Sequence, residues 1–408
     1  MSRERGFVFL QNSVQSHRRR DKKITMAAFR IILVGLFTVV FFYLAHQLTR
    51  FASLPLGVTL FVNFFLIFVI GLILALPLYF WSERRLEHKP WHDSFFSASH
   101  FAMGYISFLI TFVILRDVFS FVMEYTSPTF NTESLYNKEA LGFMLLAPII
   151  FILLGTLVVR IGPQVKRVEL SFKNLPAELE NLKLLHITDL HISPGLPKHF
   201  VETLAKKANE LNPDIVAYTG DILDSLAIRH LKEFESLKKI KSRLGSYYVP
   251  GNHEYYWDFD QGMAAFRTLN FNILINQTAD IKIDNKMVLQ ISGIPDPAAR
   301  MVRKEEPDFE KVAQNLKPDA FKILLAHQPS LADQACEKEF DLQLSGHTHG
   351  GQFFPWSLMI GLFQKYPKGI YRIKNLQLYV NQGTGYWGPS LRLGTYCELT
   401  LITLRRAV

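Results

Sequence analysis

Four long apolar runs precede residue 162, and they constrain the fold of this 408-residue chain more than any other feature. A helix needs about 20 apolar residues to cross roughly 30 Å of hydrocarbon. Three runs approach or exceed that length without an internal charge, whereas Arg116 and Asp117 interrupt the third run in chain order. The runs cover residues 31–48, 56–80, 101–123 and 140–159. The sequence therefore predicts four membrane-spanning helices.

Loop charges predict the orientation of these helices. Basic residues concentrate in segment 1–30 and in the loop between the second and third runs, which contains Arg84, Arg85 and Lys89. Lys and Arg favour the cytoplasmic side, so both segments are expected in the cytosol. Four crossings then return the chain to the cytosol after Arg160, and failure of the third run to cross would reverse that side. We expect a multi-pass protein of a bacterial inner membrane or plasma membrane.

The two parts of the chain differ in composition. Residues 1–160 hold 22 of the 34 Phe and 15 of the 45 Lys and Arg, but 9 of the 36 Asp and Glu. The basic excess therefore lies mainly in the membrane part, which argues against a nucleic-acid partner. Cys336 and Cys397 form no Cys-x-x-Cys pair, so no thiolate metal site is indicated. The predicted parts are a basic segment at 1–30, a four-helix transmembrane domain at 31–161 and a soluble domain at 162–408.

Short aliphatic runs alternate with helical patterns from residue 184 onward, as is typical of an α/β domain. Five predicted strands, at residues 184–188, 215–219, 246–250, 321–326 and 342–345, lead into loops rich in Asp, Asn and His. Loops at the carboxyl ends of strands are where an open sheet builds its site. The residues supplied there are Asp189, His191, Asp221, Asn252, His253, His327, His347 and His349.

These ligand types predict a site for divalent cations. Two neighbouring cations need a bridging carboxylate, neutral imidazoles and open positions for water and substrate. Oxygen and imidazole donors without a thiolate suit Mn, Fe, Zn or Co better than Cu(I).

The order Asp-x-His, Gly-Asp, Gly-Asn-His-Glu, His and Gly-His-x-His resembles the calcineurin-like metallophosphoesterase family. The resemblance covers about residues 168–408. The sequence SGHTHGGQ at residues 345–352 and the ending at 383–404 look like a bacterial membrane-associated subgroup that includes UDP-diacylglucosamine pyrophosphatases. The resemblance implies a sandwich of two β-sheets flanked by helices, with a dinuclear centre. Both ions are expected to be Mn²⁺, with Fe, Zn or Mg as alternatives.

Two ligand sets that share Asp221 are implied by the same resemblance. The first set is Asp189, His191, Asp221 and His349, and the second is Asp221, Asn252, His327 and His347. His253 matches the family histidine that contacts the phosphate and assists the leaving oxygen, with orientation of Asn252 as its alternative role. Residues 293–296, Gly-Ile-Pro-Asp, depart from the Gly-x-Asp-Asp of relatives, so the pocket edge is expected to differ.

Such a site predicts hydrolysis of a phosphate ester. Two cations lower the pKa of a bridging water, and the resulting hydroxide attacks the phosphorus in line. His253 would act as a general acid, a role that contributes about 10²–10⁴ in rate. The short link at 162–183 holds the site near the bilayer, which favours an amphiphilic substrate. We expect a phosphodiester or pyrophosphate of a lipid-linked substrate such as a UDP-2,3-diacylglucosamine-like glycolipid.

Two other functions stay open at this point. One is a phosphodiesterase for soluble or cyclic nucleotides whose membrane region is only an anchor, and the other is a non-catalytic membrane sensor or scaffold that binds metal. Lys368 and Arg392 are candidates for binding a distal phosphate, although solvated surface is the alternative for both. Phe353, Phe354, Trp356 and Trp387 flank the last ligand loops and are expected either to pack in the core or to contact acyl chains.

Overall fold

The computed structural model describes residues 30–50, 54–80, 89–283 and 286–407. Most of the predicted basic N-terminal segment, together with Arg84 and Arg85, therefore lies outside the described residues.

Four long apolar helices form the N-terminal part of the described chain, as predicted. They are α1 (Arg30–Thr49), α2 (Leu56–Phe80), α3 (Pro90–Thr126) and α4 (Lys138–Arg160). Each is long and apolar enough to cross a membrane. Helix α3 begins well before the predicted apolar run, because proline suits a first helical position and the polar residues that follow it continue the helix.

The charged pair in α3 is neutralised within the helical region. Arg116 donates to Asp117 at 2.8 Å and to the carbonyl oxygen of Gln47 at 3.1 Å. The hydroxyl of Tyr43 donates to Asp117 at 3.0 Å. Since both charges have hydrogen-bonding partners, α3 continues through them without interruption.

The chain forms two compact units. One contains α1, α2, the part of α3 from Ala102 onward and α4 up to Pro148. The other contains Lys89–Phe101 and everything from Ile149 onward. The last turns of α4 thus belong to the same unit as the sheets, and the predicted boundary at residue 162 stays a prediction.

Two six-stranded mixed sheets form the soluble domain. The order in the first sheet is β1 (Gln164–Phe172), β12 (Glu398–Arg406), β2 (Lys183–Ile187), β3 (Ile215–Thr219), β4 (Ser246–Val249) and β5 (Phe271–Ile273). The order in the second is β10 (Gly369–Ile373), β11 (Leu376–Val380), β9 (Leu342–Ser345), β8 (Phe321–Ala326), β7 (Lys286–Ile294) and β6 (Gln277–Ile283). Three pairs are antiparallel, namely β12 with β2, β10 with β11 and β6 with β7.

Side chains of one strand alternate between two hydrophobic cores, one between the sheets and one beneath the helices. In β3, Ile215 and Ala217 face the core between the sheets, whereas Val216 and Tyr218 face the core beneath the helices. Helices α5 (Phe200–Glu210), α6 (Leu231–Lys238) and α8 (Phe259–Arg267) cover the first sheet. Helices α9 (Phe309–Ala313) and α10 (Ala332–Glu337) cover the second. The predicted two-sheet sandwich flanked by helices is therefore confirmed.

The link from α4 enters the first sheet at the edge where the ligand loops lie. Strand β1 starts at Gln164, shortly after α4 ends, and Gln164 pairs with Glu398 at the start of β12. Because β12 runs antiparallel to β2, its start lies beside the carboxyl end of β2. Helix α4 and the ligand loop after β2 thus meet the same edge of the sheet.

Candidate metal centre

The five ligand loops converge at one edge of the sandwich. They follow the carboxyl ends of β2, β3, β4, β8 and β9, which run parallel within their sheets. The loop after β4 opens the short helix α7 (Asn252–Tyr256). The predicted strands at 215–219, 321–326 and 342–345 match β3, β8 and β9 residue for residue.

A first cluster contains Asp189, His191 and His349. The Nε2 atoms of the two histidines lie 3.0 Å apart, and Nε2 of His349 lies 3.3 Å from Oδ1 of Asp189. Side chains with unshared electron pairs this close need either a proton or a cation between them. The three ligand atoms lie within 4.8 Å of one another and the residues are buried.

A second cluster contains Asn252, His327 and His347. Oδ1 of Asn252 lies 3.1 Å from Nε2 of His327 and 3.0 Å from Nδ1 of His347. The carbonyl oxygen of Thr219 lies 2.6 Å from Nδ1 of His327 and fixes the proton there. Burial alone would lower the pKa of His327, but Asp221 outweighs it and raises that pKa well above its usual range, so a cation that binds at Nε2 displaces a proton. A second-nitrogen hydrogen bond of this kind is common among metal-ligating histidines.

Asp221 lies between the two clusters. Its Oδ2 atom is 3.2 Å from Nε2 of His327 and 3.8 Å from Nε2 of His191. Its Oδ1 atom accepts the main-chain N–H of His253 at 2.8 Å. One oxygen of this carboxylate thus faces a ligand from each cluster, while the other is held by the start of α7.

The protonation states suit cation binding. Burial lowers the pKa of His191 to about 3 and that of His347 to about 4, so both imidazoles are neutral at pH 7. Burial alone would raise the pKa of Asp221, but His327 and His253 outweigh it and hold that pKa well below its usual range. Neutral imidazoles and an ionised carboxylate are the forms that bind metals, so these residues fit divalent cations.

The backbone of the ligand loops is strained. Five of the ligand residues adopt positive φ, which is uncommon for residues other than glycine. They are Asp189 (50°), His191 (48°), Asp221 (51°), His347 (72°) and His349 (51°). Such strain persists only where the surrounding structure enforces it, and it is concentrated at functional sites.

Two glycines let these loops approach each other. A β-carbon at Gly346 would collide with the carboxylate of Asp189, and one at Gly251 would collide with that of Asp221. Both positions therefore require glycine for close approach rather than for a special φ.

Asp224 is a residue of the site that the sequence pattern did not reveal. The Nδ1–H of His253 donates to Oδ1 of Asp224 at 2.8 Å, and Trp257 Nε1 donates to the same oxygen at 3.0 Å. Burial alone would lower the pKa of His253, but Asp224 and Asp221 outweigh it and raise that pKa to about 9. The sequence feature that could have indicated Asp224 is the spacing Asp221-Ile-Leu-Asp224, which places a second carboxylate in the loop directly after a strand.

Glu254 also lacked a predicted role. Its carboxylate accepts main-chain N–H groups from four residues of two loops, Asp221, Ile222, Leu223 and Gly251, at 2.7–3.1 Å. Since these are the loops that carry Asp221 and Asn252, Glu254 fixes the distance between them.

The two predicted phosphate-binding cations occupy different environments. Arg392 is fully buried, donates to the carbonyl oxygen of Gly385 at 2.6 Å and approaches Nδ1 of His349 at 3.2 Å. These contacts indicate that Arg392 supports the loop of His349 rather than contacting a substrate. Lys368 is exposed, and its Cδ atom lies 3.1 Å from the position that a β-carbon of Gly350 would take. Lys368 therefore borders the loop that carries His349.

Comparison with known proteins identifies the family. A family model described as calcineurin-like phosphoesterase matches residues 182–351, which contain every residue of the two clusters. The chain is 30% identical over 384 residues to an uncharacterized metallophosphoesterase of Campylobacter jejuni, a match that covers 92% of this chain and 99% of that protein. The chain belongs to the calcineurin-like phosphoesterase family. As a phosphoesterase of this family it is a hydrolase, and the family implies divalent metal ions.

Two further relatives share this phosphoesterase domain. An uncharacterized metallophosphoesterase of Helicobacter pylori is 34% identical over 309 residues, covering 74% of this chain and 80% of that protein. A Danio rerio transmembrane protein with metallophosphoesterase domain is 35% identical over 253 residues, covering 60% of this chain and 58% of that protein. The chain thus spans less than two thirds of the Danio rerio protein. Its four apolar helices and this relative indicate a membrane phosphoesterase.

Proposed function

We propose that this phosphoesterase holds two divalent cations and hydrolyses a phosphodiester or pyrophosphate bond of a lipid-linked substrate at the membrane surface. The observation that carries the proposal is the position of the ligand clusters at the sheet edge where α4 enters the domain. A phosphate group held there lies beside the end of a membrane-spanning helix, while acyl chains stay in the bilayer.

The distance from helix to site is short. The four residues from Arg160 to Gln164 can span at most about 14 Å. Gln164 donates its main-chain N–H to the carbonyl oxygen of Cys397 at 2.7 Å, and Glu398 donates to that of Gly383 at 2.9 Å. A β-carbon at Gly383 would lie 3.1 Å from Nδ1 of His349.

Seven residues would hold the cations in two sets. Asp189, His191 and His349 serve one ion, Asn252, His327 and His347 serve the other, and Asp221 serves both. Divalent cations in such a site supply Lewis acidity, which acidifies water and neutralises phosphoryl charge. We propose Mn²⁺ for both positions, with Fe, Zn or Mg as the alternatives to compare with it in the assay.

His253 supplies the proton to the leaving group. Its Nε2 atom lies 4.0 Å from Oδ2 of Asp221, on the side of the clusters, while its Nδ1–H is held by Asp224. The raised pKa of His253 keeps the imidazole protonated at pH 7. Hydrolysis then consumes one water, breaks the phosphorus–oxygen bond and leaves the proton on the departing oxygen.

A UDP-2,3-diacylglucosamine-like glycolipid fits these requirements. It combines two acyl chains with a pyrophosphate, and its hydrolysis would give UMP and a lipid monophosphate. Lys368, which borders the loop that carries His349, is the residue that we propose for binding the second phosphate by charge-assisted hydrogen bonds. Four spans and the basic loops favour a cytosolic domain at a bacterial inner membrane.

A hydrolysis panel tests the proposal. Purified full-length protein in detergent with Mn²⁺ is offered UDP-2,3-diacylglucosamine, other phospholipids and soluble or cyclic nucleotide diesters, and products are identified by mass spectrometry. We expect UMP and the lipid monophosphate from the wild type and none from Asp221→Asn. Cleavage confined to soluble diesters would show that the membrane helices only anchor the enzyme. Lack of any Asp221-dependent product would favour a non-catalytic sensor or scaffold.

A further inference from the structure

An uncharged segment at Trp356–Phe363 follows the ligand loop of His347 and His349. We call it the apolar segment. It comprises the short helix α11 (Trp356–Met359) and a 3₁₀ turn at Ile360–Leu362. Leu358, Leu362 and Phe363 are 76%, 78% and 68% exposed. Leu358 and Leu362 are four residues apart and so share a face of helical backbone. Three large, neighbouring apolar side chains at this exposure form a patch rather than scattered surface residues.

The backbone of the apolar segment is packed on the metal site. A β-carbon at Gly351 would collide with the carbonyl group of Trp356. Ser357 donates its main-chain N–H to the carbonyl oxygen of Phe353 at 2.9 Å, and Phe354 donates to that of Leu393 at 3.0 Å. The exposed side chains are therefore held outward by a backbone that is fixed to the ligand loop on one side and to the chain around Leu393 on the other.

The chain around Leu393 is bound in turn to the membrane helix α4. The main-chain N–H of Arg392 donates to the carbonyl oxygen of Gly155 at 3.0 Å, and a β-carbon at Gly155 would lie 2.9 Å from Cβ of Leu391. Gly155 lies about 8 Å along the axis from Arg160, the last residue of α4. Helix α4 is about 34 Å long, close to the roughly 30 Å of a hydrocarbon core. Contact with Gly155 therefore sets the loop near the boundary of the hydrocarbon.

We propose that the apolar segment inserts into the interfacial layer of the same bilayer that α4 spans. Lipid covers its exposed side chains, because the segment is joined through Leu393 and Arg392 to a membrane helix at the depth of the interface. It contains Trp and Phe but no charge, and such side chains bind at the boundary between acyl chains and headgroups. Lys368, an exposed residue that follows the segment, suits an anionic headgroup.

The consequence concerns access to the metal centre. Insertion of the apolar segment holds the loop of His347 and His349 at the membrane surface from a second side, in addition to the link from α4. A phosphate carried by a membrane lipid then reaches the ligands without leaving the bilayer. The inference concerns where the segment lies and does not depend on which phosphate ester is cleaved.

Site-specific fluorescence in nanodiscs tests this insertion. Full-length protein carrying Cys336→Ser, with Cys397 left buried, receives Leu358→Cys or Leu362→Cys and is labelled with nitrobenzoxadiazole. The nanodiscs contain phosphatidylethanolamine and phosphatidylglycerol, with or without lipid that bears a nitroxide high on the acyl chain. We expect emission at shorter wavelength and loss of intensity with the nitroxide lipid at both sites.

Lys286→Cys is the matched control. The Lys286 side chain is 71% exposed. Lys286 is the first residue of β7, and the ligand loops lie at the other end of that strand. We expect water-like emission there and no quenching. Water-like emission at positions 358 and 362 would overturn the proposal. A shift of the emission to shorter wavelength without quenching would also overturn it, because protein rather than lipid would then cover the segment. Equal quenching at position 286 would overturn it as well.

Discussion

The Nδ1–H of His253 donates a hydrogen bond to Oδ1 of Asp224, 2.8 Å away, inside the site. Neither residue belongs to the proposed cation ligands. The bond fixes the ring so that Nε2 faces the clusters, and the negative charge of Asp224 favours the imidazolium. Asp224 therefore acts through His253 as a positioning residue.

Asp224→Asn should lower kcat by about 10- to 100-fold, the usual effect of losing such a supporting partner. Because Asp224 raises the pKa of His253, the alkaline limb of the kcat profile should also move to lower pH. Initial rates from pH 6 to 10 measure both effects, with the exposed Asp260→Asn as control. An unchanged alkaline limb would show that His253 does not donate the proton.

Glu254→Gln should lower thermal stability. The glutamine places an NH₂ group where the carboxylate accepts four main-chain N–H groups, and unsatisfied buried donors cost about 1–3 kcal/mol each. We expect Tm to fall by several degrees in detergent. Glu305→Gln is the control, since that half-exposed side chain pairs with Lys311. Equal Tm values for both variants would contradict a clamping role for Glu254.

Gly251→Ala should abolish Mn²⁺ binding and hydrolysis. The new methyl group collides with the Asp221 carboxylate and must displace it from between the clusters. Gly361→Ala is a matched control, because a β-carbon there meets open space. Metal analysis after gel filtration gives the occupancy of both. Retention of metal by Gly251→Ala would mean that the ligand loops can separate without loss of the site.

Lys368→Met should raise KM about tenfold for substrates with a second phosphate, equivalent to about 1.4 kcal/mol. Stability should not change, because the side chain is exposed. Lys365→Met is the control, since the Lys365 ammonium pairs with Asp333 at 2.8 Å. Equal KM values for wild type and Lys368→Met would exclude Lys368 from substrate binding.

The seven candidate ligands could be predicted from sequence because each follows an aliphatic strand, and strand ends meet at one edge of a sheet. The structure brings all seven together. Asp224 and Glu254 were missed because they act on other protein groups, and hydrogen bonds between loops leave no periodic signal. Arg392 was proposed for phosphate binding because its guanidinium can form charge-assisted hydrogen bonds, whereas the structure buries it against the carbonyl oxygen of Gly385.

The early start of α3 was missed for a different reason. Hydropathy detects the part of a helix that suits a membrane, not the part that continues beyond it. Residues 89–101 include Trp91, His92 and Asp93, and they belong to the compact unit of the sheets. The apolar run that begins at Phe101 therefore predicted a long apolar helix correctly, but not the residue at which that helix begins.

Cation stoichiometry tests the central claim most directly. Full-length protein saturated with Mn²⁺ and freed of excess metal is analysed by inductively coupled plasma mass spectrometry, beside His191→Asn, His327→Asn and Asp221→Asn. We predict two ions per chain in the wild type, one in each histidine variant, because each loses a ligand of a single cluster, and fewer than one in Asp221→Asn. A wild type that saturates at one ion, or an Asp221→Asn variant that keeps two, would contradict a shared two-cation centre.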